Sequence, residues 1–100
     1  MQQRVMTKRR REVLKLRDAC LLLAARRGAQ RELGGVPVLE LCLGPFTIRL
    51  VPASGRRGMQ VWRGDAAGAP VLELRWSGDE LEVVGLRRGA WEAELCALAR

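Results

Sequence analysis

The side chains with the most chemistry to offer in this sequence are cations. Lys8, Arg9, Arg10 and Arg11 run together, and Lys15 and Arg17 extend them. Helical spacing puts Lys8, Arg11 and Lys15 on one line, so that several cations can meet a polyanion together. Reading bases would call for Asn or Gln among the arginines, or for aromatics that stack. Only Gln2 and Gln3 are nearby. A nucleic acid held here is therefore expected to be gripped by its phosphates, with little specificity. The competing use of such a run is a solvated helix face. Two further basic pairs, Arg56-Arg57 and Arg87-Arg88, sit beside glycines and read as turn residues.

Other chemistry fails on inventory. The chain has no His, Tyr or Asn, and its hydroxyls are Thr7, Thr47, Ser54 and Ser77 alone. Cys20, Cys42 and Cys96 form no CxxC pair and have no His to activate them or to complete a zinc site. Glu80 and Glu82 share one side of a strand, a placement that usually makes only polar surface. The glycine-rich turns match neither phosphate-loop nor dinucleotide patterns. The sequence is thus expected to encode no enzyme, no metal site and no cofactor site, with no small-molecule substrate in evidence.

A protein contact has better material. Trp62 alternates onto a face shared with Arg49, Arg75, Glu40, Glu73 and Glu82, and Val38, Val51, Val71 and Val84 make that face apolar for a solvated surface. Trp and Arg are the residues that anchor interfaces. Leu14 and Leu21, seven apart, add a second apolar stripe on the first helix. The expected partner is another protein or a second copy of the chain, reached through Leu14, Leu21, Arg49, Trp62 and Arg75. Trp76 and Trp91 read as core from their periodicity.

These residues need elements to hold them. Val13, Leu16, Cys20, Leu23 and Ala24 recur at spacings of three and four, which predicts an amphipathic helix over 7–27. Thr7 is placed to cap it and Gly28 to end it in a left-handed conformation. Residues 28–35 read as a linker with room for one more helical turn. From Val36 the period becomes two. Five strands follow within 36–85, each with one apolar and one mixed face, broken by turn residues at Gly44-Pro45, 54–58, 64–70 and Ser77-Gly78. Short connections make a meander the simplest order. Trp91, Leu95 and Leu98 predict a short second helix in 89–100. The fold expected is α+β in two layers: an N-terminal helix, a five-stranded antiparallel sheet and a closing helix, in one domain.

Charge sharpens the picture. Of 100 residues, 18 are Lys or Arg and 11 Asp or Glu, a net of +7, and the cations are 16 Arg and 2 Lys. Residues 1–31 hold ten basic and two acidic side chains, net +8, and residues 32–100 hold eight and nine, net −1. A near-neutral body carries one basic segment, which suggests an anionic partner for that segment. Arg10-Arg11-Glu12-Val13-Leu14-Lys15 resembles a twin-arginine export signal over those six residues. The apolar run behind it, Ala19 to Ala25, is only seven long and bracketed by charges, so a surface helix is the expected reading. No stretch approaches the ~18 apolar residues of a membrane span. Three unpaired cysteines in apolar surroundings point to a reducing compartment, cytoplasmic or nuclear.

Overall fold

A computed structural model of the chain describes residues 2–51 and 57–99, with side chains from residue 9 onward. A helix, α1 (Gln2–Arg27), precedes six strands: β1 (Ala29–Leu33), β2 (Val36–Leu43), β3 (Phe46–Val51), β4 (Arg57–Arg63), β5 (Leu72–Ser77) and β6 (Glu80–Leu86). A second helix, α2 (Trp91–Leu98), closes the chain. The strands form one sheet in the order β1-β2-β3-β4-β5-β6, every pair antiparallel. The α+β meander between two helices is as the periodicity implies.

α1 buries Val13, Leu16, Cys20 and Ala24, one side chain per turn, against the sheet. At roughly 1.5–3 kcal/mol for each large apolar side chain removed from water, this stripe holds the helix far more firmly than its own propensity does. The helix begins five residues before the expected start, because Gln, Arg and Met are good helix formers and nothing in 2–6 interrupts them. Thr7 therefore lies inside the helix, and the Lys8–Arg11 run falls in its second and third turns instead of at its positive end. Gly28 is not left-handed, contrary to its expected role. Its N–H donates to the Ala24 carbonyl at 2.8 Å, and a Cβ there would lie 2.5 Å from that same oxygen, so close approach is what requires glycine.

The sheet has six strands where the alternation showed five. β1 occupies the expected linker and pairs with β2 from Ala29↔Glu40 to Leu33↔Val36. All five of its side chains are exposed, so it carries no apolar alternation. It is set instead by the Gly34-Gly35 turn, where φ is +58° and +81°, the left-handed pair that a two-residue hairpin demands.

One face of the sheet is the core: Leu41, Leu43, Phe46, Ile48, Leu50, Met59, Val61, Leu72, Leu74 and Trp76. β6 departs from the expected pattern. A register irregularity opposite Glu73 and Leu74 interrupts its pairing, and Val83, which strict alternation from Leu81 would bury, is 43% exposed at the sheet edge. α2 adds Trp91 and Leu95 to the core. Eight residues make no stable helix alone, so α2 exists by this docking. Both helices lie on the core face, and among the described residues the other face carries no helix.

Candidate functional site

The cationic run is taken apart by the fold. Arg9 donates to Glu92 of α2 at 2.7 Å and reaches Glu12 at 3.4 Å. The Glu92 carboxylate holds the Arg9 proton more tightly than usual, ahead of a smaller opposing effect of burial. Arg10 donates to the backbone carbonyls of Leu81 and Asp79, each at 3.3 Å, and so covers acceptors at the start of the edge strand β6. Arg17 pairs with Asp18 at 3.0 Å and lies over the Trp76 ring, 5.0 Å from its centre. Three of the six cations proposed for phosphate contact thus fasten α1 to the rest of the fold. Arg11 and Lys15 remain exposed, with no ion pair among the described residues; the side chain of Lys8 lies outside them. Arg56 lies outside them too, whereas Arg87 and Arg88 are exposed before α2.

The mixed face of the sheet is also satisfied from within. Glu40 accepts from Arg49 at 2.8 Å and from Arg31 at 3.1 Å, Gln60 donates to Glu73 at 3.3 Å, and Arg75 stands 3.7 Å from Glu73. The first three are cross-strand pairs, each adding a few tenths of a kcal/mol, and the last runs along β5. Trp62 is on this face as its parity requires, but only 7% exposed. Its indole N–H donates to the Gly68 carbonyl at 3.1 Å, and the Arg49 guanidinium sits 5.4 Å from its ring centre. The 64–71 loop and Arg49 take the place that a partner would have filled. Of the other proposed contacts, Arg75 is exposed, while Leu14 and Leu21 are half-buried, Leu21 against the core.

What sequence reading missed is the space between the helices. A groove of about 590 Å³ separates α1 from α2, lined by Leu16 and Ala19 on one side and Ala93, Cys96 and Ala99 on the other, with Glu12, Lys15 and Glu92 at its rim. Apart from Leu16 the wall residues are small, so their side chains leave the space between the two helices unfilled. α2 is pinned in place on three sides. Trp91 donates its indole N–H to the Arg87 carbonyl at 2.8 Å, Glu92 holds Arg9, and Glu94 receives a two-point contact from Arg63 at 3.0 and 3.3 Å. Glu92 and Glu94 also lie in the first turn of α2, where the helix dipole favours negative charge. The groove is therefore a fixed concavity, apolar inside and charged at the lip.

The side chains around the groove are apolar, apart from one thiol and the rim charges Glu12, Lys15 and Glu92. Cys20, beneath it, is fully buried, and burial, reinforced by Cys96, pushes its thiol up to about 12. Cys96 is half-buried and Cys42 exposed on the opposite face. Alkylation of the folded protein at pH 8 is expected to modify Cys42 first, Cys96 more slowly and Cys20 not at all, as read by mass spectrometry of the peptides. Rapid labelling of Cys20 would contradict the packing of α1. Among the described residues no helix is long and apolar enough to cross a membrane, and no group of three metal-ligating side chains converges. Comparison with known proteins finds no match, whether to a protein family, a curated protein or a solved structure.

Proposed function

We propose that this chain is a small non-enzymatic protein-interaction module, self-associating or a subunit of a larger complex, and that it binds through the groove between α1 and α2. The observation that carries this reading is the groove itself: about 590 Å³ of apolar concavity between two fastened helices. A partner helix or apolar side chain laid into such a groove removes water from both surfaces, at about 25 cal/mol per Å² buried. The charged lip supplies orientation more than affinity. The mixed face of the sheet, with its charges already paired and Trp62 covered, has less to give a partner.

Phosphate contact is the competing reading, supported by Arg11, Lys15, Arg26 and Arg27, which are exposed along α1. Arg9, Arg10 and Arg17 would have to leave their present partners to join them.

One experiment separates the two. The tagged chain and its Ala93→Trp variant, which fills the groove from its exposed lip, are used for capture from source cells, each with and without nuclease. The module reading expects a bound protein, a second copy included, that survives nuclease and is lost with Ala93→Trp. Binding that disappears with nuclease, or that the variant retains in full, refutes it.

A further inference from the structure

We infer that the occupant of the groove is a second copy of this chain, with the two α1 helices packed antiparallel about Ala19. The inference rests on the module reading and names its partner. It starts from an exposed stripe on α1. Glu12, Lys15, Ala19, Leu22 and Arg26 follow one another at spacings of three, four, three and four, so they share one face of the helix. The first three of them line the groove. Leu22, one turn beyond, is 63% exposed, the most exposed of the large apolar side chains among the described residues. An exposed leucine beside an apolar groove is a surface that a second copy presents together with the matching groove.

A two-fold axis at Ala19 brings these features into register. Residues whose numbers sum to 38, or to one less, then face each other across the axis. Ala19 meets the partner's Ala19, a small residue against a small one, which lets the helices approach closely. Leu22 comes level with the partner's Lys15, next to Ala19, so each Leu22 lies on the apolar stem of the other copy's Lys15 at the mouth of its groove. Glu12 meets the partner's Arg26. Both side chains are exposed, Glu12 has only the long 3.4 Å contact with Arg9, and Arg26 makes no ion pair among the described residues. The pairing is isologous, with each contact made twice, as a closed dimer requires. Charge also sets the direction. A parallel arrangement would put Glu12 against Glu12 and Arg26 against Arg26, whereas the antiparallel one pairs opposite signs at both ends. α1, at 26 residues, rises about 39 Å, long enough to present all five positions of the stripe to a partner.

The test is dimer affinity measured by sedimentation equilibrium for five proteins: wild type, Leu22→Asp, Glu12→Arg, Arg26→Glu, and the double swap Glu12→Arg/Arg26→Glu. All substituted positions are exposed, and circular dichroism verifies that each variant is folded. Leu22→Asp is expected to weaken the dimer on the order of 30-fold, the loss of one central anchor. Each single reversal turns two attractions into two repulsions and is expected to weaken it about tenfold. The double swap restores opposite signs across the axis and is expected to return to within about threefold of wild type. Rescue by the double swap supports this register, because a merely local effect on α1 would accumulate in the double variant. A wild type that stays monomeric overturns the self-pairing, while the module reading then stands or falls on the capture experiment with Ala93→Trp. A dimer indifferent to Leu22→Asp, such as one joined through the β1 edge, overturns the self-pairing as well.

Discussion

Replacing Trp91 with Ala is expected to cost about 3–5 kcal/mol of stability and to abolish the groove together with α2. The ring is buried in the core beside Leu95, and its N–H donates to the Arg87 carbonyl at 2.8 Å. Removing it leaves a cavity where α2 meets the sheet and an unmet carbonyl at the turn that leads into the helix. An eight-residue helix has no independent stability to fall back on, so it is expected to detach instead of settling into the space. Domains of this size have about 5–15 kcal/mol in total, which makes the loss a large fraction. Thermal denaturation should show a melting temperature lower by more than about 12 °C. Association through the groove should vanish at temperatures where the sheet is still folded. A variant that melts like wild type would mean that α2 is not anchored by this residue.

Trp62→Ala is expected to separate the two readouts. The ring is 7% exposed, pinned between the 64–71 loop and Arg49, so its loss should cost about 3 kcal/mol through the cavity and the freed Gly68 carbonyl. Yet it faces away from both helices, and dimer affinity should remain within about twofold of wild type where the variant is still folded. Paired melting and sedimentation measurements decide it. Stability unchanged with association lost would restore Trp62 to the role of interface anchor that its place among Arg49 and Arg75 first suggested.

Trp62 also illustrates how far local pattern reaches. Alternation in β4 assigns it to the mixed face, and it is there; what alternation cannot encode is that a loop residue six positions on returns to cap its indole. The arginines behave likewise. Their spacing places them on a helix, but their partners are 71 and 83 residues away in sequence, at Leu81 and Glu92, and only the fold brings these together. A cation run read locally looks available, whereas three of its members are structural ties.

Strand β1 was hidden for a different reason. Ala29–Leu33 covers no core, so burial imposes no period upon it, and hydrophobic alternation is blind to such a strand. The legible trace was the Gly34-Gly35 dipeptide, a two-residue hairpin turn that asks for a strand on either side. The main strands, by contrast, were legible because each must hide one face: Phe46, Ile48 and Leu50 could hardly be read otherwise. The groove left no trace in either helix alone. Ala19 is an ordinary small residue of α1, and Ala93, Cys96 and Ala99 are ordinary small residues near the end of the chain. Their meeting is a property of packing.

The central claim, that the groove is closed by a second copy of the chain, can be examined through the thiol that lines it. Cys96 lies in the groove wall and Cys42 on the far face of the sheet, so one protein carries both reporter and control. Alkylation rates of the two should be followed from dilute to concentrated protein at fixed pH and reagent. The account predicts that Cys96 slows as concentration rises and the partner's α1 covers the groove, while Cys42 keeps its rate. Cys96 reacting at one rate across the whole range, in a protein shown to be folded, would contradict it.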